Sequence, residues 1–403
     1  MPNPPVSDWS TDYDVFDAGY VEQPFPIWDE LRATCPIAHT ERWGGSWLPT
    51  RYTDVAAIAH DVEHFSSRNV SVVPPPEDDL GPGGFAVPVP PIDCDPPVHT
   101  WTRRLLLPWF SHKRVAEYEP ITRDLCNSLI DGFIDRGRAD AAGEYAQQIP
   151  ARVIALTLGV PGDMADTFTG WVRDVLEFAH DEERRNAGRD AIAVYLMEQM
   201  EERRGEPGDD LISALLTAEI ELDGERRVLT DMEIQNFVVL LSGAGVETVA
   251  RLLSWAGVVF ARNPEQRAKV VANPGLVAGA VEELLRYEAP SPVNGRFTFA
   301  ETEFQGVRIP AGSKVLMLNG SANRDPREFD RPDQFDVERR ITRHISLGYG
   351  THFCLGASLA RLETRVALEE TFARFPAWDV VDDELEMVRT NTVRGYAHVP
   401  IHF

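Results

Sequence analysis

The 403-residue chain is predicted to fold as a mainly α-helical protein with smaller β-sheets, an α+β unit. Helical patterns follow one another from about residue 98 to 290, and strand-like segments gather near the N-terminus and after Pro290. Hydrophobic residues make up 43% of the chain, enough for one large core, and no linker, charge block or internal repeat divides it. One unit spanning 1–403 is therefore expected, with a β-rich edge at about 1–70, a helical core at about 98–290 and a loop-and-helix segment at about 323–375.

Each element has its reason in order along the chain. After a Pro-rich start, "PIWDELRA" reads as a short helix, and "SWLPTRYTDV" alternates as a strand entering another helix. Pro and Gly crowd residues 73 to 97, which excludes regular helix and predicts a long loop of the kind that carries function. The stretch "RNAGRDAIAVYLMEQMEERRGE" is amphipathic, whereas "NFVVLLSGAGVETVARLLSWAGVVFA" from Asn236 is apolar nearly all round. Glu247 and Arg251 interrupt that run, so a helix through the core of a large protein is expected rather than a membrane span. Strands follow Pro290, with a turn at Pro310-Ala311-Gly312; an irregular stretch covers 323 to 350, and a last long helix starts just after Cys354.

Composition excludes some functions. A formal net charge of -25 opposes binding to nucleic acid, whose affinity comes largely from Lys and Arg neutralising phosphates. The start has no basic patch followed by an apolar run, so neither signal peptide nor membrane anchor is expected, and the cytoplasm is the expected location. Cys35, Cys94, Cys126 and Cys354 lack the paired spacing of structural zinc or a disulfide framework. Three are expected as reduced thiols, and Cys354 alone sits in a context that calls for chemistry.

That context is "LGYGTHFCLGASLARLE", where Gly348, Gly350 and Gly356 surround Cys354 and a helix follows at once. Glycines allow positive φ and close approach to a flat ligand, and a helix N-terminus with nearby N–H groups stabilises a thiolate. The run resembles the haem-binding loop of the cytochromes P-450 of the soluble bacterial class. The resemblance extends to Glu283 and Arg286 of "EELLR", to Arg339 of "FDVERR", to "ANRDP" at 322 to 326 and to "AGVET" in the apolar helix. It implies a triangular-prism-like fold and haem b (iron protoporphyrin IX) with Cys354 as axial thiolate. It also implies a structural ion network of Glu283, Arg286 and Arg339.

The same resemblance carries His99 and Arg103 of "DPPVHTWTRR", Arg296 of "VNGRF" and His352 onto positions that contact the haem propionates. Read alone, each Arg is an ordinary surface charge and each His a satisfied core residue. Glu247 and Thr248 take the family's places for proton delivery and oxygen activation. Leu240, Ala244 and Thr248 recur at i, i+4 and i+8, so one face would present a hydrocarbon wall, a small gap against the haem and a hydroxyl, with Gly243, Ala244 and Gly245 leaving room for O2. Without the resemblance, a helical Thr bonds the carbonyl four residues back, and Glu247 pairs with Arg251. Two departures stand out: Leu347 replaces the family's usual Phe near the sulfur, and Trp101 replaces a frequent Arg.

The implied activity is hydroxylation, one atom of O2 entering a hydrophobic substrate. A chain of this length leaves no room for a fused reductase, so a separate ferredoxin and ferredoxin reductase, fed by NADH or NADPH, are expected to serve a monomer. Arg103, Arg104, Lys113, Arg114 and Arg343 form either their basic docking patch or a scatter of solvated charges. Phe85, Val87, Val89, Leu240, Ala244, Val293 and Val393 are the candidate pocket lining. Their apolar character points to a terpenoid, steroid or fatty-acid-like molecule. Competing readings are a haem-binding sensor or gas carrier, which Glu247 and Thr248 argue against, and a zinc hydrolase using His352 and Cys354.

Overall fold

A computed structural model describes residues 4–68, 72, 89–162, 164–176, 182–222, 224–388 and 393–403. After a short helical turn at Ala18–Glu22 come α1 (Pro24–Thr34), an antiparallel pair β1 (Ile37–Thr40) and β2 (Ser46–Pro49), α2 (Tyr52–His60) and the short β3 (Phe65–Ser66). Helices then dominate: α3 (Val98–Leu106), α4 (Glu119–Asp131), α5 (Gln148–Leu158), α6 (Ala165–Leu176) and α7 (Glu182–Gly205). A hairpin of β4 (Glu219–Leu222) and β5 (Glu225–Val228) leads to α8 (Asp231–Arg262) and α9 (Val277–Tyr287). The strands β6 (Asn294–Thr298) and β7 (Lys314–Met317) precede α10 (Ala357–Arg374), which starts three residues after Cys354.

The N-terminal edge is a sheet of order β1-β2-β7-β6-β3. Its centre comes from far along the chain: Val315 of β7 pairs in parallel with Trp47 of β2 and antiparallel with Arg296 of β6. That register carries Arg296 into the interior. The β4-β5 hairpin interrupts the expected run of helices, because "EIEL" alternates and Gly224, at φ 82°, supplies the left-handed residue of a tight turn.

Helix α8 is the axis of the core. Its N-terminus is closed by a capping box, with Thr230 and Glu233 bonding each other's backbone N–H, and paired bonds from Arg227 hold the Glu233 carboxyl at about 2. The helix is long and apolar enough to cross a membrane, yet 61% of its apolar window is buried inside the protein. Phe237, Val238, Leu241, Val249, Leu252, Leu253 and Trp255 belong to the main core, which α5 and α10 also line. Each such burial stabilises the fold by about 1.5–3 kcal/mol, so the apolar run is explained by packing.

Candidate active site

The loop from Leu347 to Cys354 is closed by the Cys354 N–H donating to the Leu347 carbonyl at 2.7 Å. Gly348 and Gly350 adopt φ of 75° and 70°, where side chains are strained. At Gly350 a Cβ would also lie 3.0 Å from the Ala59 carbonyl oxygen and the His60 Cα, so loop and α2 approach as closely as glycine permits. Burial pushes the Cys354 thiol up, opposed by the Gly356 N–H and by the charges of Arg103 and Arg361. Arg103, on α3, reaches the loop directly, Nη2 donating to the Phe353 carbonyl at 2.6 Å. Leu347 is buried in the main core, and Trp101 packs against that core, half-buried, with its Nε1 unbonded.

Next to the cysteine lies a group of imidazoles and guanidiniums. The rings of His99 and His352 are 4.2 Å apart, and both nitrogens of His99 and Nε2 of His352 are buried without a hydrogen-bond partner. Arg296, 8% exposed, has burial lowering its pKa to about 10, and its Nη1 bonds the Gly295 carbonyl at 2.7 Å. Burial, then Arg296, His99 and Arg103, push His352 down to about 3, so its ring is neutral at pH 7. Among the described residues neither Arg103 nor Arg296 has a carboxylate at ion-pair distance. Orphaned buried donors cost about 1–3 kcal/mol each unless something accepts from them. This donor set suits two carboxylates arriving together, as on a haem carrying two propionates with Cys354 on its iron. Asp95 was not foreseen; its charge acts on Arg296 and His99 while it accepts from Ser66 Oγ and Ser67 N at 2.5 and 2.8 Å.

On α8, Ala244 is exposed and Leu240, Glu247 and Thr248 are half-buried. The Thr248 hydroxyl donates to the Ala244 carbonyl at 3.1 Å, the local bond expected of any helical Thr. Arg251 is fully buried and donates to the Tyr396 carbonyl at 2.9 Å. At Gly245 a Cβ would stand 3.3 Å from Ile154 Cδ1, so its small size lets α5 pack on α8.

Other candidates fall in several places. Glu283 and Arg286 are fully buried and doubly bonded at 2.8 Å, and Arg339 joins Glu283 at 3.1 Å. Arg286 also donates to the Asn323 and Pro332 carbonyls, which ties α9 to the irregular segment before the cysteine. Of the pocket candidates, Phe85 and Val87 lie outside the described residues, and Val89 is half-buried. Val293 is buried among Tyr13, Trp28 and Leu316, and Val393 is buried too. The five basic residues do not make one patch: Arg114 is paired with Glu117 and Asp209, Arg343 with Glu328, and Arg103 turns to the loop. Arg104 and Lys113 are left exposed. Among the described residues no group of three or more His, Cys, Asp or Glu side chains can hold a metal ion, which leaves the zinc reading without a ligand set.

Known proteins resemble the chain over most of its length. The family profile described as Cytochrome P450 matches residues 177–393. Vitamin D(3) 25-hydroxylase of Pseudonocardia autotrophica is 36% identical over 394 residues, 96% of each chain. The 6-deoxyerythronolide B hydroxylase of Saccharopolyspora erythraea is 35% identical over 387 residues, covering 92% of this chain and 94% of that one. Among solved structures, cytochrome P450 CYP109Q5 from Chondromyces apiculatus superposes with a TM-score of 0.85 at 33% identity over 98% of both chains. CYP109E1 from Bacillus megaterium in complex with testosterone gives a TM-score of 0.82 at 29% identity, over 94% of this chain and 99% of that one.

Proposed function

Because the chain belongs to the cytochrome P450 family, we propose that this haem-binding monooxygenase hydroxylates a large neutral substrate of steroid-like shape. Cys354 would hold the haem iron through its sulfur, and the electrons would come from a separate ferredoxin and ferredoxin reductase drawing on NADH or NADPH. When bound, the haem supplies the activation of O2 and the insertion of one oxygen atom into a C–H bond. The observation that carries the ligand assignment is the set of unbonded buried donors on His99 and His352 beside the Cys354 loop. His99, Arg103, Arg296 and His352 would hold the propionates, and the Gly356 N–H with Arg103 and Arg361 would steady the thiolate.

Thr248 donates its only hydrogen to Ala244, so its Oγ1 lone pairs are turned to accept a hydrogen bond from an O–H facing the helix. Glu247, one residue earlier, is the group that carries protons inward. Ala244 leaves the exposed gap between them and Leu240. The steroid-like class is supported by the relatives' names, Vitamin D(3) 25-hydroxylase and a steroid C26-monooxygenase of Mycobacterium tuberculosis, and by the testosterone complex.

The test has two arms. The dithionite-reduced protein with carbon monoxide should give the strongly red-shifted Soret band of a thiolate-ligated haem, and titration with testosterone or vitamin D3 should move the ferric iron toward high spin. A histidine-type band removes the Cys354 assignment, and a thiolate band with no steroid-induced shift removes the substrate class.

A further inference from the structure

One carboxylate holds both ends of the cysteine loop. Glu282, on α9, accepts from Arg361 Nε at 2.6 Å and Nη2 at 2.9 Å, and contacts His344 Nε2 at 3.1 Å. Arg361 lies seven residues after Cys354 on α10, and His344 lies ten residues before it. The histidine's other nitrogen, Nδ1, accepts from the Ser346 N–H at 3.2 Å, so the proton sits on Nε2 and is donated to Glu282. Ser346 is held in turn by Asn323 at 2.6 Å and bonds the Leu285 carbonyl at 2.6 Å. The next residue, Leu347, supplies the carbonyl that closes the loop on the Cys354 N–H.

We propose that Glu282 is a positioning residue: it clasps His344 and Arg361 across the cysteine loop and, by fixing the Arg361 guanidinium, sets the reduction potential of the bound iron. This rests on Cys354 being the iron ligand. The Arg361 charge acts on the Cys354 sulfur, while Glu282, paired with the same guanidinium, opposes that charge. His344 is buried, whereas Arg361 and Glu282 remain partly exposed, so solvent moderates the field without abolishing it. Reduction adds an electron beside the thiolate. Neutralising Glu282 therefore favours the ferrous state, and neutralising Arg361 disfavours it.

Potentiometric titration of the haem-loaded protein tests this with Glu282→Gln, Arg361→Gln, the double variant and Arg361→Lys. Glu282→Gln should raise the equilibrium constant for reduction two- to fivefold and Arg361→Gln should lower it by a similar factor; the double variant and Arg361→Lys should stay close to the parent. A clasp that is only structural would lower the melting temperature of both single variants and move both potentials the same way or not at all, and that result overturns the proposal. If Glu282→Gln loses its haem, Arg361→Lys against Arg361→Gln makes the same comparison, and equal potentials there overturn it. A parent protein without a thiolate carbonyl band overturns the Cys354 reading and this inference together, whereas a thiolate band with unshifted potentials overturns this inference alone.

Discussion

Thr248 makes an unremarkable local bond to Ala244, and its chemistry lies in the lone pairs that this bond leaves outward. Thr248→Ala should therefore leave folding intact and cut the product formed per NADH consumed by about tenfold, a fraction of what a positioned proton donor contributes. Thr248→Ser should restore most of the yield. Arg296 is read the same way. Arg296→Met removes a charge-assisted bond worth ~1.5–3 kcal/mol, so haem transfer to apomyoglobin should quicken by about ten- to a hundredfold. At this scale the Cys354 loop was legible in the sequence because its glycines, sulfur and helix start are contiguous. Asp95, Glu282 and His344 were not, because each acts on a partner many tens of residues away, and nothing in an isolated Asp, Glu or His marks it as half of such a pair.

Among the elements, α9 carries two neighbouring acids with different tasks: Glu283 belongs to the buried Arg286 and Arg339 network and Glu282 to the loop clasp. Breaking the buried network by Glu283→Ala strands two guanidiniums and should cost about 3–5 kcal/mol, read as a lower urea midpoint. The Glu282 carboxyl, despite burial, is held at about 2 by Arg361 and His344, below its ordinary 4.5. A depressed carboxyl stabilises the fold above its unfolded value and loses that contribution as pH falls. The urea midpoint should thus drop between about pH 4.5 and 2, less steeply in Glu282→Gln. Long helices such as α7 and α8 were readable from their hydrophobic pattern. The β4-β5 hairpin was overlooked because two four-residue strands are too short for periodicity to outweigh the helices around them.

For the whole molecule, against a net charge of -25, Arg104 and Lys113 are the two of the five candidate docking cations that are exposed and have no carboxylate at ion-pair distance among the described residues. Reversing both to Glu should slow electron delivery from an acidic ferredoxin about tenfold at low salt, with the difference fading near 0.5 M salt as screening takes over. Stopped-flow reduction under carbon monoxide reads it. The fold class followed from the succession of patterns, but the sheet order β1-β2-β7-β6-β3 did not, since pairing partners so distant leave no local trace. That order has a consequence for the chain as it is made. The first strands emerge from the ribosome long before β6 and β7, whose residues 294–317 complete their sheet, and wait with unpaired edges through most of translation. Nascent chains halted before residue 294 should be cut by protease within β1 to β3, and those released past 317 should resist.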